Sequence, residues 1–289
     1  MSREFTSQYV PAKEALDFDA DRPAIVSKNI LRDPSAVAEW ASQSIANTVA
    51  SGPDVITPLR DGYTSRQGTP GMVSAYLHLF IDFDDPVEFN TVAIMNHNLA
   101  GSTVKAGAFN GNSLNVGFDF GIAEDSRLVS VRVDGQGSPI TYTSNNFYLT
   151  IEGATEIPKI GEIFVGKRTQ LPRKASRPYS VDGKINSAAT FESSNGAATK
   201  YNFYTGKSEF EQSFTSTTPE EHQKFQEIAT GSSFGANQVI WIEDPKTNLS
   251  AARFGFIESG FSWPYISPSE REIDLKFSEQ GPHFLSAEV

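Results

Sequence analysis

The chain has 289 residues, a net charge of −11, 38% hydrophobic residues and no cysteine. Without cysteine there is no disulfide and no thiolate metal site. An acidic balance with no cluster of Lys and Arg argues against a nucleic-acid backbone as partner, because neutralising phosphates needs such clusters. Phe is the dominant aromatic, with 21 copies, so core volume comes from rings as much as from aliphatic chains. The 22 Gly and 16 Pro suit many short strands joined by turns.

Residues 1–23 are polar and acidic, broken by Pro11 and Pro23, and read as an arm that orders on a neighbour. No leader segment is visible in the first twenty residues, and no run is long enough to span a membrane. Asp17, Asp19 and Asp21 alternate as in a calcium loop. Arg22 stands where that loop needs Gly and Lys28 where it needs Glu, so the match fails. A first strand is expected within 24–31. Asp33-Pro34-Ser35 resembles a helix start. Val37, Trp40, Ala41 and Ile45 recur every three or four residues, which predicts a short helix over 36–45. Gly52-Pro53-Asp54 is expected to end it, and 61–71 reads as loop.

From Ser74 the period is two. Leu77, Leu79, Ile81 and Phe83 alternate with Tyr76, His78, Phe80 and Asp82. Asp84-Asp85-Pro86 predicts a turn into the stretch 89–99, around which the chain is organised. There Val92 and Ile94 point one way and Ala93 and Met95 the other, all apolar, as in a strand covered on both faces. It ends in the polar corner Asn96-His97-Asn98, which is good turn chemistry. Further strands are expected over 103–109, 128–133, 146–152 and 160–166. The sum is an antiparallel β-sandwich over 24–168.

Pro172 and Pro178, with the basic residues Arg173, Lys174 and Arg177 between them, mark 169–180 as a linker. A second β-rich unit, barrel or sandwich, is expected over 181–289. Its strands fall near 189–191, 201–204, 209–216, 239–242, 252–257 and 273–277. Gln212 interrupts an apolar face, which predicts an edge strand. Thr218-Pro219-Glu220-Glu221 is a capping box, so a helix is expected over 219–230, with Phe225, Ile228 and Ala229 buried and Gly231 as its stop.

Reactive constellations are scarce. Gly231-Ser232-Ser233-Phe234-Gly235 fits the GxSxG pattern, but that motif needs a strand before the serine and a helix after it. Here the order is reversed, and a hydrolase built on Ser233 is not expected. His78, His97, His222 and His283 show no zinc spacing. Asp82, Asp84 and Asp85 precede a proline and read as a solvated turn rather than a calcium site or an acid pair. No phosphate loop or dinucleotide fingerprint occurs. No catalytic residue, metal or cofactor is therefore expected. The candidate contact residues are Asn96, His97 and Asn98 in the corner. Tyr63, Tyr142 and Trp263 are the aromatics expected at loop tips if a saccharide is bound.

Three stretches carry a resemblance: Asn29-Ile30-Leu31-Arg32-Asp33-Pro34, then 87–99 with its Asn-His-Asn-Leu ending, then Ile160-Gly161-Glu162-Ile163-Phe164-Val165-Gly166. Their order resembles the distal-tail, tail-tip or baseplate proteins of tailed bacteriophages, whose first domain is a jelly roll similar to galactose-binding or discoidin modules. The second half is similar in outline, from a Phe-rich strand through the Thr-Pro-Glu-Glu helix to a final Glu-Ile-Asp-Leu strand. The resemblance implies a non-enzymatic virion subunit, made in the host cytoplasm and tiled as a ring oligomer against other tail proteins, with no nucleic acid and no membrane span. The competing expectation is a carbohydrate-binding module that adsorbs the virion to a host-surface glycan.

Overall fold

The computed structural model describes residues 12–13, 23–42, 48–61, 67–110, 113–123, 127–131, 140–171, 182–184, 188–192, 198–202, 207–242, 252–258, 265–267 and 270–279. In chain order the strands begin with β1 (Ala12–Lys13), β2 (Ala24–Val26), β3 (Val37–Ser42), β4 (Thr48–Ser51) and β5 (Tyr76–Phe89). Next come β6 (Thr91–His97), β7 (Thr103–Asn110), β8 (Ser113–Ile122), β9 (Arg127–Val131) and β10 (Ile140–Glu152). After β11 (Ile160–Gly166) and β12 (Arg168–Gln170) follow β13 (Asp182–Lys184), β14 (Ala188–Glu192), β15 (Ala198–Asn202) and β16 (Lys207–Thr217). The series ends with β17 (Val239–Ile242), β18 (Arg253–Ile257), β19 (Tyr265–Ser267) and β20 (Glu270–Glu279). Helix α1 covers Pro53–Arg60 and α2 covers Pro219–Gly231.

The protein is mainly β and antiparallel, a sandwich followed by a second β-rich unit carrying α2. One sheet runs β4-β3-β5-β10-β7-β8, with β1 also paired to β10. The facing sheet is β11-β6-β9. Between them lies the largest core, where Trp40, Leu79, Phe89, Val104, Phe118 and Leu149 from one side meet Val92, Ile94, Ile163 and Val165 from the other. A third sheet, β12-β2-β17-β18-β20-β16-β13, holds its own core with Phe225 and Ile228 of α2. β14 pairs with β15 as a separate hairpin.

The apolar-on-both-faces pattern of β6 now has its cause. Val92 and Ile94 enter the sandwich core, while Ala93 and Met95 meet Val26, Phe164, Ile240, Ile242 and Phe254 in a core between the second and third sheets. β17 shows the same division: Val239 and Trp241 face α2, while Ile240 and Ile242 face the sandwich. The three sheets are stacked layers, and each middle strand is greasy on both sides because both sides are covered.

The joint between layers is also polar. Asn29 is 4% exposed and makes four side-chain hydrogen bonds. Its Oδ1 accepts from the N–H of Leu31 and of Val165, and its Nδ2 donates to the Ile163 carbonyl and to Glu162 Oε1. On the free side of β11 the carboxamide thus serves Val165 and Ile163 as a neighbouring strand would. Arg32 Nη2 lies 3.7 Å from the fully buried Glu162 carboxylate and donates to Gln238 Oε1 at 2.6 Å. Its Nε donates to the Arg60 carbonyl, and Arg60 Nη1 donates to the carbonyls of Leu31 and Asp33. One node therefore ties β11, the end of α1 and the approach to β17.

Several expectations are corrected. Residues 37–42 of the expected helix 36–45 are the strand β3. Trp40 and Ala38 enter the sandwich core and Ala41 packs outward on Phe80 and Tyr148, so apolar residues on both faces imitate a helical period. Pro53 starts α1 rather than ending a helix, as the first-turn position of proline allows. Asp84-Asp85-Pro86 does not end the strand. Asp82 pairs with Asn146 and Val87 with Ser144, so residues 83–86 stand against Asn145 alone, and this bulge accommodates the proline. Ala24–Val26, expected to open the sandwich, pairs with β17, and Thr169 and Gln170, the start of the expected linker 169–180, pair with β2. Leu171 is buried in the second core. β8 lies in a stretch where no strand was expected. β13 pairs with β16 only at 207–209, so beyond that stretch Gln212 stands where β16 has β20 as its one partner among the described residues.

Candidate functional site

The candidate site is the end of the sandwich where β6, β10 and β8 finish and β5 and β7 begin. The Asn-His-Asn corner lies here. Asn96 has a φ of 50°, the left-handed turn that asparagine tolerates. His97 is 8% exposed, and its Nδ1 accepts from the Leu99 N–H at 3.2 Å, which puts the proton of the neutral ring on Nε2. Asn98 grips the segment ahead of β11. Its Oδ1 accepts from the Lys159 N–H at 2.7 Å and its Nδ2 donates to the Ile157 carbonyl at 3.0 Å. Asn98 fastens the corner to the segment ahead of β11 and His97 closes the turn on itself, which is positioning chemistry.

The strand ends around them are pinned by main-chain bonds. Gly153 N–H donates to the Ala75 carbonyl at 3.0 Å, and Gly101 N–H to the Ala123 carbonyl at 2.8 Å. Ala123 N–H returns to the Ser102 carbonyl at 2.9 Å, and Gly68 and Ile160 exchange both of their bonds. Gly101 and Gly153 sit at φ of 82° and 74°, where a side chain would be strained.

The outward face at this end follows from register. Tyr76 opposes Glu152, Glu152 opposes Thr103, and Thr103 opposes Ile122. One row inward lie His78, Thr150 and Lys105. Cross-strand partners share a face, and Leu77 and Ile151 between these rows point into the core. Tyr76 is 49% exposed and Ile122 65% exposed, and Lys105 Nζ lies 3.4 Å from Glu152 Oε1. His78 Nδ1 is 3.1 Å from Thr150 Oγ1, and its ring stacks on Phe80. Burial pushes the His78 imidazole below its ordinary range, and the charge of Glu152 opposes that shift.

The other candidates fall elsewhere. Tyr142, expected at a loop tip, is fully buried among Phe89 and Phe118, at ring distances of 5.5 and 5.7 Å. Gly117 makes room for it, since a Cβ there would strike the tyrosine hydroxyl. Tyr63 and Trp263 lie outside the described residues. Ser233 follows the end of α2 with a φ of 50°, and its hydroxyl accepts from Asn237 Nδ2 at 2.9 Å. Among the described residues no group of three or more His, Asp or Glu is placed to hold a metal ion. Lys167 pairs with Glu88 at 3.1 Å and Arg168 is buried, so these two do not form a basic patch. Tyr76 and the Lys105–Glu152 pair were missed in the sequence. The alternation of β5 would have placed Tyr76 outward, but nothing local marks its partners on β10 and β7.

No family model and no curated protein matches the chain. Solved structures similar to part of it include the family 32 carbohydrate-binding module of Clostridium perfringens NanJ in complex with galactose. That likeness has 16% identity and a TM-score of 0.34, over 50% of this chain and 98% of that one. Chitosan-binding module 1 of a Paenibacillus chitosanase/glucanase is similar at 10% identity and a TM-score of 0.34, over 45% of this chain and 94% of that one. A Ruminococcus gnavus family 29 fucosidase in complex with fucose is similar at 13% identity and a TM-score of 0.36. In that case 48% of this chain corresponds to 26% of the enzyme. At such scores these likenesses decide nothing about ligand or activity.

Proposed function

We propose that the chain is a non-catalytic structural subunit of a bacteriophage tail, placed near the distal end, assembled in the host cytoplasm and built into a ring with copies of itself and other tail proteins. One observation carries the reading. The three stretches behind the resemblance come together in space: Asn29 and Arg32 of the first bond Glu162 of the third, and β6 of the second is paired along its length with β11. The residues that make the sequence recognisable are those that bolt the layers into one block. A subunit that transmits load between neighbours needs such a block, and rings form when one patch docks on a different patch of the next copy. Negative-stain microscopy of the purified full chain tests this. Closed rings are the expected outcome, and a monomer at every concentration would overturn it.

A second reading, a carbohydrate-binding adsorption module, is favoured by the pinned end of the sandwich with its half-exposed Tyr76. Retention on a glycan array separates the two, because the structural subunit needs none.

A further inference from the structure

We infer that the row Tyr76–Glu152–Thr103, with Lys105 behind it, is a saccharide platform for an uncharged pyranoside. The inference rests on the second reading above and names its site and ligand class. A pyranose offers a face of C–H bonds that lies on an aromatic ring, and a rim of hydroxyls that both donate and accept. The row supplies both halves. Tyr76 leaves half its surface free on the outer face of the sheet. Glu152 stands one strand away, directly opposite, and Lys105 reaches it from the next row at 3.4 Å. The Lys105 and Glu152 side chains are each about one-third exposed, and an ammonium with three donors and a carboxylate with two oxygens have positions beyond their mutual contact to offer a hydroxyl.

The platform is also ordered before any ligand arrives. Ala75, beside Tyr76, holds Gly153, beside Glu152, and the Ser102–Ala123 bond fixes the start of β7. Little conformational freedom remains to be lost on binding. The hydroxyl of Ser74, two residues before the tyrosine, is buried and has no hydrogen-bond partner among the described residues. Charge selects the class: a chain of net charge −11 repels uronic and sialic acids, leaving uncharged sugars.

The test is affinity gel electrophoresis of the full chain through galactomannan, β-glucan and, as the acidic counterpart, polygalacturonate. Retardation by one of the two uncharged polysaccharides is expected. Tyr76→Ala should weaken it about tenfold or more, Tyr76→Phe should retain it, and Glu152→Gln should weaken it less. Phe234→Ala, at an exposed aromatic on the α2–β17 turn, should leave it unchanged. Retardation that survives Tyr76→Ala overturns the site and leaves the second reading standing. Retardation by polygalacturonate alone overturns the ligand class. No retardation in any gel sinks the reading and the inference together. A Tyr76-dependent dimer in sedimentation with no retardation gives the face to a second copy and also overturns the inference.

Discussion

Asn29 shows how much one buried polar side chain decides. Its carboxamide satisfies two main-chain groups on the free side of β11 and meets the buried Glu162 carboxylate. Removing one partner of a buried bond leaves the other unsatisfied, at about 1–3 kcal/mol per group. Asn29→Ala should therefore lower unfolding stability by about 3 kcal/mol or more in a urea titration, whereas Asn98→Ala at the exposed clamp should cost about 1 kcal/mol. His78 gives a pH dependence with a definite sign. Its folded pKa is depressed by burial, so the unfolded chain takes up a proton first as pH falls. Stability is full above the ordinary histidine pKa of about 6.5 and declines on acidification below it. His78→Asn should flatten that acid limb in denaturant titrations between neutral and mildly acidic pH; an unchanged limb would assign it to other groups.

At the level of elements, a strand was legible in the sequence where it kept a period of two or a continuous apolar run, as β6 and β17 do. β20 alternates Ile273, Leu275 and Phe277 with charged residues and was readable outright. α2 was readable from its ends, because Thr218 and Glu221 form the reciprocal cap seen in the structure. β3 was not, since it buries both Trp40 and Ala41 and so loses its period of two. The bulge over 83–86 was hidden for a different reason: only the partner strand shows that the chain continues past Pro86. Of the candidate site, the Asn96-His97-Asn98 corner was located correctly as a corner, but the Tyr76 row depends on strand pairing that local patterns do not encode. The core between layers makes its own prediction. Phe164 fills it against Phe254 at a ring distance of 6.2 Å. Phe164→Ala should cost about 3–5 kcal/mol. A fragment spanning 181–289 lacks β2 and β12, leaves one side of β17 unpaired, and should show no cooperative unfolding transition.

The whole molecule is held as one cooperative body because its two main cores are joined through a third, packed between the second and third sheets. Two tryptophans report on them separately: Trp40 lies in the sandwich core and Trp241 against α2. Variants that keep only one of these should lose their fluorescence signal at the same denaturant concentration, as coincident probes require of a two-state unit. Separated midpoints would show that the layers part before they melt. The third sheet has one more consequence. Val26 and Arg168 are direct partners on adjoining strands, so everything between them departs and returns through a doorway about 5 Å wide. A compact insert whose ends lie that close can replace the sandwich there only if it again covers Val26, Ile240, Ile242 and Phe254, so the doorway and that apolar face together define what the frame can carry.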